Sequence, residues 1–302
     1  MSEILVVGSL AYDTISTPNG RVDRTLGGSA NYFSVAAALY SKVRVVGVVG
    51  EDYDDKDFEL LASRNVDTTG LQKQKGKTFH WEGKYQGDMN EAITLATDLN
   101  VFEHFNPELP ASYKDSSYVF LANIHPELQL RVLEQIDKPK IVGSDTMNFW
   151  ISSALPSLKK VLTKVDVVLI NENEAKMLSG ASNAISAAEV ILAMGPQAVV
   201  IKRGEYGFVM YSKEGYFILP AFPIGKVVDP TGAGDTFAGA FFGYLAKGNS
   251  DLSLKNLKEA CVHGCLMASF TVQGFGLDAL RKLEWADVQQ RFQDYGRVIS
   301  FA

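Results

Sequence analysis

The residues with the clearest chemical content lie between Val228 and Ala246, VDPTGAGDTFAGAFFGYLA. Gly232, Ala233 and Gly234 leave their backbone N–H groups unobstructed, and the apolar run from Thr236 onward reads as a helix. A glycine-rich loop that opens a helix binds anions, because unpaired N–H groups and the positive end of the helix dipole point the same way. Asp235 stands where such an anion would lie. A carboxylate there repels phosphate unless it has a task, such as accepting the proton of an attacking hydroxyl. The plainer reading makes Asp235 a helix cap. The turn preset by Asp229-Pro230-Thr231 after an apolar run favours phosphoryl transfer.

The segment resembles a family signature. DPTGAGD is a form of the motif that marks the ribokinase-like (PfkB) family of sugar and nucleoside kinases. Four other segments resemble that family's motifs in the family order: Gly27-Gly28-Ser29-Ala30-Asn31 before an Ala-rich helix, Gly47-Val48-Val49-Gly50-Glu51-Asp52, Asn171-Glu172-Asn173-Glu174, and Lys202-Arg203-Gly204-Glu205-Tyr206-Gly207. The resemblance implies an ATP-dependent kinase that phosphorylates a hydroxymethyl group of a small sugar, with a nucleoside as the alternative acceptor. It implies Asp235 as the base and the N–H groups of Gly232, Ala233 and Gly234 as the cradle of the transferring phosphoryl. Asp13, Gly27, Gly28 and Asn31 would hold the acceptor. Asn171 and Glu174 would position Mg²⁺ through its waters. Lys202, Gly204 and Thr231 would lie near the nucleotide phosphates and His263 near the adenine. Asp229, with Thr231 and Gly274-Phe275-Gly276, would offer oxygens to K⁺.

Each residue also has a plainer reading. Asp13 follows a strand, where turn-forming Asp is common; as a ligand, its ionised carboxylate would accept bonds from two hydroxyls. Asn171 and Glu174 suit a helix start, since carboxylates favour that dipole end. Lys202 reads equally as an exposed strand-end lysine, and His263 as a core histidine. Asn123, Asp145 and Asn148 follow predicted strands without an assigned role. A non-catalytic sugar or nucleotide sensor would have little use for Asp235 and the Asn171–Glu174 pair together.

These residues need a scaffold. Apolar runs at Ile4–Val7, Val43–Val49, Tyr118–Ala122, Lys140–Gly143, Val165–Ile170 and Ala198–Lys202 read as buried strands. Helical patterns at Ala30–Tyr40, Asp55–Arg64, Glu127–Gln135 and Ala184–Met194 separate them, and Asp235 to Gln293 reads as mainly helical. This alternation predicts an α/β fold: a mostly parallel central sheet with helices on both faces, the three-layer sandwich of the ribokinase-like family, with ligands at the carboxyl ends of the strands. All 302 residues read as one domain. Segments 13–27 and 76–105 break the alternation. They supply four strands of a small separate sheet, including Thr78–Tyr85 and Ala92–Phe102, which the resemblance makes a lid over the acceptor and a homodimer contact. The lid aromatics Phe79, Trp81, Tyr85 and Phe102 read first as a small apolar core and second as a stacking surface for a nucleobase.

Gly70-Leu71-Gln72-Lys73-Gln74-Lys75-Gly76-Lys77-Thr78 nearly spells a phosphate-binding Walker loop. Its glycine spacing is one residue too long, and a strand pattern follows where a helix is required, so it reads as a solvated lysine-rich loop. A net charge of −6 with no basic block excludes a nucleic-acid partner. Cys261 and Cys265, one helical turn apart, read as small buried residues in a reducing, cytoplasmic setting. The N-terminus reads as a first strand, not a leader peptide, and no apolar run reaches membrane-spanning length.

Overall fold

The computed structural model describes residues 3–300. Its strands are β1 (Ile4–Val7), β2 (Ala11–Thr17), β3 (Gly20–Gly27), β4 (Val43–Gly50), β5 (Val66–Gln74), β6 (Phe79–Tyr85), β7 (Ala92–Asp98), β8 (Tyr118–Leu121), β9 (Ile141–Ser144), β10 (Val167–Asn171), β11 (Ala198–Lys202), β12 (Phe208–Ser212) and β13 (Gly215–Leu219). The large sheet has the order β13-β12-β11-β10-β9-β8-β1-β4-β5. All neighbours from β5 to β11 pair in parallel, and β12 and β13 continue the sheet antiparallel.

Successive strand residues point to opposite faces. Ile4, Val6, Val167 and Leu169 enter one core while Leu5, Val7, Val168 and Ile170 enter the other. The central strands therefore read as unbroken apolar runs, as parallel strands covered on both faces must. Helices α1 (Ser29–Ala37), α2 (Asp55–Ser63), α8 (Ala233–Lys247), α9 (Leu254–Thr271), α10 (Asp278–Arg281) and α11 (Trp285–Ile299) cover the first core. Helices α3 (Pro126–Leu133), α4 (Asn148–Ser153), α5 (Leu155–Leu162), α6 (Glu172–Ser179) and α7 (Ala184–Leu192) cover the second. The three-layer α/β architecture is the expected one. No helix of the described residues is long and apolar enough to cross a membrane.

The smaller sheet has the order β3-β2-β6-β7, with β2 and β6 parallel and the outer pairs antiparallel. Its β2–β3 hairpin is tied to the large unit, since Thr17 Oγ1 donates to the Val228 carbonyl (2.9 Å) and Asn19 Nδ2 to that of Val227 (2.7 Å).

Three sequence expectations change. The near-Walker segment is not a loop throughout: Gly70 to Gln74 belong to β5, and Gly70 is needed there because a Cβ would lie 2.6 Å from the Val45 carbonyl oxygen. Strand β7 stops at Asp98, and Phe102 sits on a 3₁₀ turn (Asn100–His104), stacked between Phe79 and Phe105. Strands β12 and β13 extend the large sheet beyond the predicted set.

Candidate active site

Helix α8 begins at Gly232, whose φ of 73° is left-handed and whose missing Cβ makes room for the Tyr32 ring. No side chain caps this helix. Asp235 lies in its first turn, so the capping reading of Asp235 fails. The N–H of Ala233 is tied to the Pro230 carbonyl (3.2 Å), whereas those of Gly232 and Gly234 have no partner among the described residues. Two of the three expected anion-binding amides are therefore available, at the positive end of the α8 dipole.

Opposite this turn the sheet delivers charge. Lys202 ends β11, Asp145 follows β9 and Glu174 follows β10, so three neighbouring parallel strands bring together residues far apart in sequence. Lys202 Nζ pairs with Asp145 Oδ2 at 2.9 Å, and a Cβ on Gly234 would lie 2.9 Å from the same nitrogen. Lys202 is thus a largely covered cation beside the anion loop, not an exposed strand-end lysine. Burial opposes its charge, but Asp145 outweighs this and holds it above its ordinary value. Burial, and then the charge of Asp145, push Asp235 up to about 7, with Lys202 acting in the opposite direction. Glu174 is raised by the same two causes. Asp145 was singled out in the sequence only as a strand-end residue; sheet order, which the sequence does not display, gives it its partners.

On the other side, Asp13 lies on β2, buried against the β3 end. A Cβ on Gly27 would collide with its carboxylate, so glycine permits this approach. Burial, Asp229 and Asp235 raise Asp13 to about 8, while the Gly28 N–H pulls it back. Parallel pairing sets Asp13 beside Trp81 on one face of the smaller sheet. The Trp81 indole lies over Gly83, where a Cβ would strike it, and its Nε1 donates to Thr94 Oγ1 (3.2 Å). Tyr85 turns inward, its hydroxyl accepting from Thr231 Oγ1 (3.3 Å).

Asn31 is not brought to this side. It is fully buried, its Nδ2 donates to the Gly27 carbonyl (2.6 Å), and its Oδ1 accepts from the Tyr53 hydroxyl (3.3 Å). Both ends of the amide serve the fold. The next residue, Tyr32, packs its ring against Gly232 of the anion loop instead. One residue is a turn of about 100° on a helix, and the glycine motif does not fix the phase at that resolution.

Asn171 and Glu174 form a capping box on α6: the Glu174 N–H donates to Asn171 Oδ1 (2.8 Å) and the Asn171 N–H to Glu174 Oε2 (3.0 Å). Asn171 is thereby engaged as a helix cap, and the second Glu174 oxygen is not part of the box. No cluster of three or more His, Cys, Asp or Glu among the described residues could hold a metal. This donor set fits a hard cation that arrives with phosphate oxygens and keeps most of its waters, and does not fit a protein cage. Asp229 accepts from the N–H groups of Thr231 (2.9 Å) and Gly276 (3.2 Å), bringing the expected K⁺ segments together.

Gly204, at φ 56°, opens the turn after β11 against Asn90 of the β6–β7 connection. The neighbouring Glu91 accepts from Asn173 Nδ2, so the smaller sheet's tip reaches the rim of the site.

His263 is not at the site. It bonds the Tyr40 hydroxyl (3.1 Å) and stacks among Tyr244, Trp285 and Phe292. Tyr244 is eleven residues along α8 from Ala233, about 16 Å at 1.5 Å per residue, which puts the ring near the far end of that helix. Burial lowers His263 to about 4, as for a neutral core imidazole.

A model of the pfkB family carbohydrate kinases matches residues 1–282. A cytidine kinase of Thermococcus kodakarensis is 32% identical over 256 residues, covering 82% of this chain and 90% of that one. The crystal structure of Methanocaldococcus jannaschii nucleoside kinase superposes with a TM-score of 0.77 at 21% identity, covering 97% of this chain and 99% of that one. That of Salmonella enterica aminoimidazole riboside kinase, complexed with aminoimidazole riboside and an ATP analog, gives 0.79 at 20% identity over 96% and 99%. The five motifs, the fold and these likenesses agree: the chain belongs to the pfkB family of carbohydrate kinases.

Proposed function

We propose that this kinase transfers the γ-phosphoryl group of ATP to the hydroxymethyl group of a nucleoside, with a pyrimidine nucleoside of the cytidine type as the preferred acceptor. The observation that carries the reading is the placement of Asp235: half-buried in the first turn of α8, with free amides and Lys202 beside it and the Asp13 carboxylate near enough to feel its charge.

In this mechanism Asp13 accepts hydrogen bonds from two acceptor hydroxyls and so aims the hydroxymethyl oxygen at Asp235. That oxygen attacks the γ-phosphorus as its proton passes to the Asp235 carboxylate. The bond to the β–γ bridging oxygen breaks, and ADP leaves with the electron pair. The N–H groups of Gly232 and Gly234 and the Lys202 ammonium stabilise the charge on the transferring group, which is where fixed dipoles contribute most. Glu174 would hold Mg²⁺, which would supply charge neutralisation of the phosphates, and Asp229 with the Gly274–Gly276 turn would offer oxygens to K⁺. The smaller sheet acts as a lid that excludes water from the reaction.

The nucleoside preference draws on two features. Trp81 presents an indole fixed by Gly83 and Thr94 next to Asp13, so a base could stack where a free sugar has nothing to offer. The Thermococcus relative carries the name cytidine kinase. A coupled ADP-release assay with cytidine, uridine, adenosine, inosine, ribose and fructose tests this. Cytidine or uridine should give the highest kcat/KM; faster turnover of ribose or fructose would refute the nucleoside assignment while keeping the chemistry.

A further inference from the structure

Tyr32 carries a polar atom in this site that nothing in the protein satisfies. The residue is 1% exposed, and its hydroxyl has no hydrogen-bond partner among the described residues. Buried hydroxyls are rarely left so, and each exception calls for an explanation. The ring has a structural task, since it fills the space beside Gly232 and supports the anion loop. A phenylalanine would do that equally well, so the oxygen is not explained by packing.

Its position is set by helix geometry. The Tyr32 N–H bonds the Gly28 carbonyl (3.3 Å), placing Tyr32 one turn above the Gly27–Gly28 entry to α1. Gly232, which the ring touches, is three residues from Asp229 and three from Asp235, and the charges of Asp13, Asp229 and Asp235 are near enough to act on the phenol. Burial, and then Asp13, keep the phenol protonated. Ionised carboxylates only accept hydrogen bonds. A polyol bound there can donate its own protons to Asp13 and Asp235, but the lone pairs of its oxygens need a donor, and Tyr32 is a buried donor set among these acceptors.

We propose that the Tyr32 hydroxyl is a binding contact for the acceptor, donating to an acceptor oxygen held between Asp13 and Asp235. The inference rests on the acceptor site proposed above. It makes Tyr32 a specificity residue: acceptors with an oxygen at that point are favoured over deoxy analogues that lack it.

The test is Tyr32→Phe, which keeps the ring under Gly232. Cytidine and ribose serve as acceptor probes, with ATP saturating. Loss of one hydrogen bond to a neutral partner should raise the acceptor KM roughly three- to tenfold, with the ATP KM unchanged. Because an unsatisfied buried hydroxyl is removed, the protein without substrate should melt at the same temperature as wild type or higher. An unchanged acceptor KM, or a lower melting temperature with no effect on KM, overturns the proposal. Asp13→Asn separates the two levels. If that variant loses acceptor binding while Tyr32→Phe does not, only the tyrosine contact is wrong. If Asp13→Asn keeps acceptor binding, the acceptor site itself is misplaced.

Discussion

Replacing Asp13 with Asn should make the protein more stable and less able to bind its acceptor, and both effects should grow with pH. Burial, with Asp229 and Asp235 nearby, raises Asp13 from an ordinary 3.8 to about 8. Between those values the folded state holds a proton that the unfolded state has released, so stability falls as pH rises through this window. At about 1.36 kcal/mol per unit, the four-unit rise sets an upper bound on the order of 5 kcal/mol. Asp229 and Asp235 are also raised and share the cost. Removing the Asp13 charge should therefore recover about 2–3 kcal/mol at pH 9, which for a chain this long is about 5 °C in Tm. At pH 5, about one unit into that window, less than roughly a third of the cost has accrued, and wild type and variant should melt within about 2 °C of each other. Thermal melts at pH 5, 7 and 9 read this directly. Acceptor binding has the opposite sign, because hydroxyl donors favour the ionised carboxylate, so acceptor affinity in wild type should rise with pH up to about 8. A melting difference that is the same at pH 5 and pH 9, or a variant less stable at both, would refute the reasoning.

Asp235→Asn should lower kcat by about 10²–10⁴, the usual worth of a general base, with little change in acceptor KM; wild-type kcat should rise with pH through about 7 as Asp235 ionises. Steady-state kinetics from pH 5.5 to 9 check both, and near-normal turnover by the variant would remove Asp235 from the chemistry. Gly234→Ala puts a Cβ 2.9 Å from Lys202 Nζ and should raise the ATP KM and lower kcat while acceptor binding, followed by calorimetry, persists. His263→Leu should leave the ATP KM unchanged, since the ring lies among Tyr40, Tyr244, Trp285 and Phe292, and should cost about 1–2 kcal/mol in denaturant melts through lost packing; a raised ATP KM would return it to the adenine pocket.

The central strands were legible because parallel strands covered on both faces must be apolar at every position, as in Val167–Ile170 and Ala198–Ile201. The edges were not. Strand β5 reads VDTTGLQKQ and lies at the end of the sheet, where half of its surface tolerates polar groups. Strand β13 forms the opposite edge and exposes Tyr216 and Ile218 at 62% and 45%; its sequence GYFIL is apolar, but so short a run does not by itself separate an edge strand from other structure. Phe102 was misassigned for a related reason: an aromatic packed on Phe79 looks the same in sequence whether a strand or a 3₁₀ turn presents it.

The site divides along the same physical line. The anion loop is local: four consecutive residues define Gly232 to Asp235, and their spacing alone was enough to raise the expectation of phosphoryl transfer. The Lys202–Asp145 pair spans 57 residues and two strand crossings, and only the order β9-β10-β11 puts the two side chains together. Asn31 and Tyr32 show a finer limit. The motif places a helix start correctly, but which of two adjacent residues faces the ligand depends on helix phase, and phase is set by what packs behind. Here Tyr53 on one side claims the Asn31 amide, and on the other the missing Cβ of Gly232 leaves room for the Tyr32 ring. Both side chains are buried, but the amide finds its partners within the fold and the tyrosine hydroxyl does not. On the contact proposed above, the acceptor-facing residue of this segment of α1 is Tyr32 and not Asn31.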